Sequence, residues 1–212
     1  MTWLADTRTS YDTVAESYAE FVSDALSSQP HMRAALALFA SEVGGPAVDI
    51  GCGPGHFTAH LHSLGVDASG IDLSPAMIDL ARRAHPGPRF EVGSMTDLPL
   101  PDASMAGVLA FWSLIHVPDD DVPVALGHFR RVLRPGGLLV IGYHVGAGTR
   151  LKTEGYGGHP MRVHVHLRQP WWLAKRVRTA GFTIEAEWAL NPEKDVSQAI
   201  LFARRVVSEK QG

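Results

Sequence analysis

The spacing of apolar residues along the chain predicts an alternation of helices and strands. Apolar side chains recur at helical spacing over residues 11–26, and a second helix is predicted over residues 32–43. Strands are predicted over residues 47–50, 66–71, 89–92, 105–112 and 138–143, with helical patterns over 57–64, 75–84 and 120–133 between them. A helix over 170–180 and two strands over 182–188 and 199–203 complete the pattern.

This alternation is typical of βαβ units and predicts the fold class. We expect an α/β, Rossmann-like fold with a mostly parallel sheet and helices on both faces. The 212 residues suffice for one sizeable core but are few for two, so a single domain over residues 1–212 is predicted, with an N-terminal helical lid over 8–43. Only residues 208–212 resemble a tail.

Residues 144–170 interrupt the alternation with many glycines. A stretch of this length without predicted elements is unusual in a compact domain, and such loops tend to be lids or binding loops. We therefore predict a loop insertion that contacts the substrate. The glycines concerned are Gly146, Gly148, Gly155, Gly157 and Gly158.

Composition narrows the possible partners. The formal net charge is -3 and the basic residues are scattered, so nucleic acid is not an expected partner. The N-terminus lacks the pattern of a signal peptide and no apolar run could span a bilayer, so we expect a cytoplasmic protein without membrane contact, either a monomer or a homodimer. Cys52 is the single cysteine, which excludes an intramolecular disulfide.

A glycine-rich turn between a predicted strand and a predicted helix gives the clearest chemical signal. Gly51, Gly53 and Gly55 allow main-chain N–H groups to approach a ligand closely. A dinucleotide-binding turn would place its third glycine where His56 stands, so the spacing favours a nucleoside that carries an amino-acid end. The carboxylate of Asp49 suits the cationic amino group of such a ligand.

Asp72 closes the next predicted strand, 21 positions after Gly51. A carboxylate there can accept hydrogen bonds from both hydroxyls of a ribose, as it does in nicotinamide-dinucleotide sites. The alternative is a capping carboxylate for the helix that follows, although Ser74 is also available for that role.

Together with the residues around these glycines, the blocks at 71–77, 91–99 and 131–137 resemble class I S-adenosylmethionine-dependent methyltransferases of the small-molecule type. The resemblance implies a seven-stranded sheet whose last strand is antiparallel, and S-adenosylmethionine as cofactor. It implies that Asp49 and the three glycines hold the methionine part and Asp72 the ribose. It also places Leu73, Met77, Ser94 and Met95 around the adenine, and Phe111 near the cofactor.

The N-terminal segment resembles the lid of the same family. Tyr11 and Tyr18 would close over the cofactor, or alternatively pack in the core. Arg33 would meet the cofactor carboxylate, or alternatively be a solvated helix residue.

Several side chains are candidates for the chemistry and for the methyl acceptor. His116 follows the strand over 105–112 and is the best candidate for a general base, with a packed histidine as the alternative. His144, His159 and Arg162 are further candidates to deprotonate or orient a substrate. The aromatic residues nearby in sequence predict a flat small acceptor and its contacts, Trp112, Tyr143 and Tyr156.

The predicted function is methyl transfer from S-adenosylmethionine to an O, N or C atom of a small, flat metabolite. The alternatives are a noncatalytic module that binds S-adenosylmethionine and an NAD(P)-dependent oxidoreductase. His164 and His166 would lie on one face of a strand, but without a cysteine or carboxylate at ligand spacing we expect no bound metal.

Overall fold

A computed structural model describes residues 2–207, and the predicted tail over 208–212 lies outside the described residues. The strands of this part of the chain are β1 (Ala47–Ile50), β2 (Ala68–Asp72), β3 (Arg89–Val92), β4 (Met105–Phe111), β5 (Leu133–His144), β6 (Thr149–Glu154), β7 (Pro160–His166), β8 (Phe182–Leu190) and β9 (Gln198–Arg205).

Seven of these strands form one sheet in the order β3-β2-β1-β4-β5-β9-β8. The pairs from β3 to β5 are parallel, whereas β9 runs antiparallel to both of its neighbours. The predicted seven-stranded, mostly parallel sheet with an antiparallel last strand is confirmed. Because the first five strands are parallel, the ends of β1, β2 and β4 that carry the predicted motifs lie at one edge of the sheet.

The helices pack on both faces of this sheet, as predicted. They are α1 (Trp3–Thr13), α2 (Ala15–Phe21), α3 (Ala25–Ser28), α4 (Pro30–Glu42), α5 (His56–Ser63), α6 (Pro75–Ala84), α7 (Val122–Val132) and α8 (Pro170–Thr179). Val108 in β4 packs in one cluster with Phe129 of α7, whereas its neighbour Leu109 packs in another with Phe39 of α4. Successive strand residues point to opposite faces, so both faces carry a core.

The N-terminal helices differ from the single helix predicted over residues 11–26. The first helix begins at Trp3, where the side chain of Thr2 accepts a hydrogen bond from the backbone of Ala5. Val14 departs from helical geometry, with φ of -102° and ψ of 10°, and separates α1 from α2. The side chain of Val14 is fully buried, so the break in the helix turns an apolar residue into the core.

The prediction that residues 144–170 form a loop without regular elements was wrong. Strand β5 continues to His144, and β6 and β7 form a separate antiparallel hairpin. Along β7 the apolar residues Met161 and Val163 are buried and pack with Val14, while Arg162 between them is exposed. The alternation that makes this strand was present in the sequence, but the surrounding glycines obscured it.

No helix in residues 2–207 is both long and apolar enough to cross a lipid bilayer.

Candidate active site

Most of the predicted site residues surround one cavity of about 720 Å³ at the carboxyl ends of β1, β2 and β4. We call it the glycine-turn cavity. The predicted residues that line it are Tyr11, Tyr18, Gly51, Gly53, Asp72, Leu73, Met77, Ser94, Met95, Phe111, Trp112 and His116. In an open α/β sheet, this edge is where ligands bind.

Close packing of the main chain explains the glycine turn. Gly51 has φ of +76°, and a Cβ atom there would lie 2.2 Å from Cβ of Ser113. Gly53 has φ of +54°, and a Cβ there would lie 3.5 Å from the ring of Tyr18. Gly55 serves a different purpose, because its Cβ would meet the ring of Phe90 at 2.7 Å, outside the cavity. Only the first two of the three glycines line the cavity.

Asp72 braces the turn from the end of β2. One carboxylate oxygen accepts a hydrogen bond from the backbone N–H of Gly53 at 2.8 Å, and the other accepts one from Ser74 at the same distance. Burial raises the pKa of this carboxyl group. The helix cap itself is Ser74, whose hydroxyl accepts from the backbone of Met77. Asp72 also lines the glycine-turn cavity.

Asp49 lies beneath the turn and does not line the cavity. Its side chain is 1 % exposed and accepts a hydrogen bond from the hydroxyl of Thr58 at 2.8 Å. Burial raises its pKa to about 7. Through Thr58, Asp49 ties the end of β1 to helix α5. Its contact with a ligand amino group stays a prediction.

The first helix closes one side of the cavity and is held there by polar contacts that the sequence did not reveal. A carboxylate oxygen of Asp12 accepts hydrogen bonds from the hydroxyl of Ser74 at 2.6 Å and from the backbone of Ala76 at 3.1 Å. At the other end of α1, the indole N–H of Trp3 donates to Asp121 at 2.7 Å. These partners are far apart in sequence, so no local sequence pattern predicts the contacts.

His116 sits between the lid and the hairpin, with both ring nitrogens engaged. Its Nδ1 lies 2.9 Å from the carbonyl oxygen of His164, and its Nε2 lies 2.7 Å from the hydroxyl of Tyr11. A carbonyl can only accept, so Nδ1 carries the proton and Nε2 accepts from the tyrosine. Burial lowers the pKa of His116 to about 4. The ring is therefore neutral near pH 7, with a lone pair directed at Tyr11.

Arg168, which sequence analysis missed, fixes the short 3-10 turn that carries His116. Its side chain is 3 % exposed and donates to the carbonyl of Leu114 at 2.8 Å and to the carbonyl of Val117. It also pairs with Asp119 at 3.1 Å. The guanidinium thus satisfies buried carbonyls on both sides of the histidine, a role that nothing in the local sequence predicts.

A second cavity, of about 1190 Å³, adjoins the first beneath the hairpin. We call it the hairpin cavity. Among the predicted residues, His144 and Tyr156 line the hairpin cavity but not the glycine-turn cavity. The two cavities share a wall made of Tyr11, Tyr18, Phe111, Trp112 and His116. The two cavities therefore adjoin at these five side chains.

The remaining predicted residues line neither of these two cavities. Tyr143 points to the opposite face of β5, into the core, and its hydroxyl donates to Glu187 at 2.6 Å. Arg162 is exposed and pairs with Asp6 at 3.6 Å. Arg33 donates to the carbonyl of Ser27 at 2.7 Å and so joins α3 to α4. His159 lies on an outer surface depression.

Within residues 2–207, no three His, Cys, Asp or Glu side chains are grouped closely enough to hold a metal ion. His164 and His166 have ring centroids 6.3 Å apart.

Comparison with known proteins identifies the class of this domain. Residues 48–141 match the family model described as a methyltransferase domain. A malonyl-[acyl-carrier protein] O-methyltransferase of Serratia marcescens is 35% identical over 105 residues, which is 50% of this chain and 40% of the relative. The chain therefore spans well under half of that relative's length. Over these residues the chain is similar to methyltransferase domains, which agrees with its resemblance to the class I S-adenosylmethionine-dependent methyltransferases.

Solved structures agree with this fold. A Burkholderia thailandensis 1,6-didemethyltoxoflavin-N1-methyltransferase is similar with a TM-score of 0.74 at 24% identity, covering 97% of this chain and 89% of that one. A [4+2]-cyclase is similar with a TM-score of 0.72 at 18% identity, covering 98% of each chain. Because a cyclase shares the fold, the reaction has to be argued from the site.

Proposed function

We propose that this protein transfers the methyl group of S-adenosylmethionine to an O, N or C atom of a small, flat metabolite. The observation that carries the proposal is that the two cavities lie side by side and share five lining residues. The glycine-turn cavity has the features of a nucleoside site, and the hairpin cavity is a second, aromatic-lined space in contact with it. A methyltransferase needs two such sites side by side, because donor and acceptor must meet in line.

The residues of the glycine-turn cavity fit the cofactor. The buried carboxylate of Asp72 would accept from the ribose hydroxyls, and Leu73 and Met77 offer apolar surface for the adenine. Ser94 and Met95 stand at the polar edge of the base, and the main chain of Gly51 and Gly53 leaves room for the methionine part. When bound, S-adenosylmethionine supplies an electrophilic methyl carbon.

The protein's own contribution is positioning, exclusion of water and one proton acceptor. Tyr11, Tyr18 and Tyr156 cover the junction of the cavities, with ring centroids of Tyr18 and Tyr156 4.8 Å apart. Good alignment of reacting groups supplies about 7–11 kcal/mol of a barrier. His116 is neutral, and its lone pair is directed at Tyr11. When the methyl acceptor displaces the Tyr11 hydroxyl from Nε2, His116 takes a proton from the methyl acceptor.

One solved structure of similar fold supports a small acceptor, since it is an N1-methyltransferase with bound 1,6-didemethyltoxoflavin and S-adenosylhomocysteine. The proposal includes a cytoplasmic location and a monomeric or homodimeric state. For the location it rests on the single, buried cysteine, which fits a reducing compartment.

The experiment is to incubate the purified protein with S-adenosylmethionine and a panel of phenols, indoles, amines and carboxylic acids. We expect S-adenosylhomocysteine to form together with a product heavier by one methylene. Binding of S-adenosylmethionine without turnover of any acceptor would favour a noncatalytic module. Preferential binding of a pyridine dinucleotide would favour an oxidoreductase. Either result would overturn the proposal.

A further inference from the structure

Several buried polar atoms of the hairpin cavity have no hydrogen-bond partner among residues 2–207. They are the indole Nε1 of Trp112, Nδ1 of His144 and both ring nitrogens of His56. Buried polar groups in native proteins are nearly always paired, so each exception needs an explanation. Since all three side chains line one cavity, a polar ligand in that cavity would supply the missing partners.

Trp112 is the most constrained of the three. Its backbone has φ of +49°, a conformation that a bulky residue rarely adopts. Its backbone N–H donates to the carbonyl of Gly142 at 2.9 Å. Its ring packs so closely on Gly142 that a Cβ atom added to Gly142 would lie 3.0 Å from the ring. Backbone strain of this kind is concentrated at ligand sites. An indole N–H can only donate, so the ligand must present an acceptor atom.

Lys152 supplies a positive charge to the same cavity. Its side chain is partly buried, and its Nζ lies 3.7 Å from the centre of the Tyr156 ring. No carboxylate in residues 2–207 lies within ion-pair distance of this ammonium group. The carboxylate of Asp24 also lines the cavity, but it stands on an exposed turn where water screens it. The less exposed part of the cavity is therefore suited to an anion.

Aromatic rings line much of the same cavity. Tyr156 contacts Tyr18 and Phe21 with centroids 4.8 Å apart in each case, and Phe57 meets Phe111 at 5.6 Å. These rings pack against one another, and their surface toward the cavity is suited to a flat, apolar ring. The neutral histidines can donate or accept, so they do not restrict the ligand further.

We infer that the methyl acceptor is an aromatic carboxylate. Its ring packs against these aromatic side chains, its anionic oxygen pairs with Lys152, and an acceptor atom accepts a hydrogen bond from the indole N–H of Trp112. The inference rests on the proposed function, because it assigns a substrate class to the same site. It goes further in separating two recognition elements: Lys152 reads the charge of the ligand, and Trp112 reads a hydrogen-bond acceptor that a neutral molecule could also carry.

The test is equilibrium binding by calorimetry to protein saturated with S-adenosylhomocysteine. The probes are 4-hydroxybenzoate, 2-naphthoate and indole-3-carboxylate, each compared with its neutral primary amide. We expect at least one acid to bind at millimolar concentration or better, and about tenfold more tightly than its amide, because a charge-assisted hydrogen bond is lost in the amide.

Three variants separate the two elements. Lys152→Met should weaken the acid about tenfold and leave the amide unchanged, while Lys152→Arg should retain most of the preference. Trp112→Phe, which keeps a ring without the N–H, should weaken acid and amide alike. Lys175→Met is the matched control, since Lys175 is exposed on α8 and lines neither cavity.

Failure can be attributed to the correct claim. Binding of S-adenosylhomocysteine is measured first, and its absence would overturn the proposed function itself. If that ligand binds but the acids bind no better than the amides, or none binds at millimolar concentration, the substrate class is wrong. An equal effect of Lys152→Met on acids and amides would likewise overturn it, whereas the proposed methyl transfer would stand.

Discussion

The two cavities are built in different ways, although they share a wall. The centre of the glycine-turn cavity is a strand end, a glycine turn and a carboxylate that belong to one β1-α5-β2 unit, and α1 with the ends of β3 and β4 completes its walls. The hairpin cavity is assembled from segments far apart along the chain, from α1 to β9. The family match over residues 48–141 includes the first unit and leaves out both the lid and the hairpin. The cofactor side is thus a local motif, and the acceptor side is a tertiary assembly.

Polar contacts between the hairpin and the first two helices hold that assembly together. The hydroxyl of Ser17 donates to the carbonyl of Tyr156 at 2.8 Å, and the backbone of Arg162 donates to the hydroxyl of Ser10 at the same distance. Apolar packing of Val14 against the hairpin adds to them. Because these contacts lie outside the glycine turn, the comparison predicts that changes on each side have separable effects.

The largest effect is expected at the junction. His116→Ala should lower turnover by about 100-fold to 10,000-fold, because it removes the proton acceptor, while the dissociation constant for S-adenosylhomocysteine stays near its original value. Steady-state kinetics and calorimetry measure the two quantities. His159→Ala is the matched control and should retain full turnover, since that side chain lines neither cavity. Full activity of the His116 variant would remove it from the mechanism.

On the cofactor side, Asp72→Ala should weaken S-adenosylhomocysteine binding by about 100-fold, since hydrogen bonds to a charged carboxylate contribute about 1.5–3 kcal/mol each. Calorimetry checks this directly. Asp79→Ala provides the control, because Asp79 is an exposed residue of α6 that pairs with Arg82 at 3.8 Å. An unchanged affinity in the Asp72 variant would refute the ribose assignment.

On the acceptor side, Arg168→Met should lower the free energy of unfolding by about 2–4 kcal/mol, because buried carbonyls lose their donor. Turnover should fall further than cofactor affinity, as the turn carrying His116 loosens. Denaturant titration and kinetics measure both effects. Arg162→Met, the exposed counterpart, should change stability by no more than about 0.5 kcal/mol. Equal destabilisation by the two variants would contradict the positioning role of Arg168.

The smallest effect concerns pH. His116 is deprotonated in the folded protein down to about pH 4, so turnover should remain level from neutral pH to about pH 5 and fall below that as the ring gains a proton. Tyr11→Phe removes a donor that favours the neutral ring, so the acid limb should move to higher pH. A pH–rate profile with an acid limb near the ordinary histidine pKa of 6.5 in the unmodified protein would contradict this arrangement.

The sequence predicted the local part of the molecule well and the tertiary part poorly. Alternating patterns and turn residues indicated the sheet, and the glycines with Asp72 indicated the cavity, because a strand, a turn and a helix encode those features within about 25 residues. Tyr143 was assigned to the substrate although it shares the parity of Leu139 and Ile141, whose side chains face the α7 and α8 core. Period-2 alternation along β5 places Tyr143 on the core face and would have corrected this assignment.

Other features had no local signal. Arg168 and Asp12 act on partners about 50 and 60 residues away, and their types alone do not reveal whether they will be exposed or buried. The hairpin was hidden because the glycines suggested a loop, whereas Gly155, Gly157 and Gly158 lie in the turn between two short strands. Such features depend on which surfaces meet after the sheet has formed.

The most direct test of the two-cavity arrangement is a crystal structure of the protein with S-adenosylhomocysteine. The arrangement predicts the ribose on Asp72, the adenine between Leu73 and Met77, and the sulfur directed at the wall formed by Tyr11, Trp112 and His116. A nucleoside bound elsewhere, or a sulfur atom directed away from that wall, would contradict it.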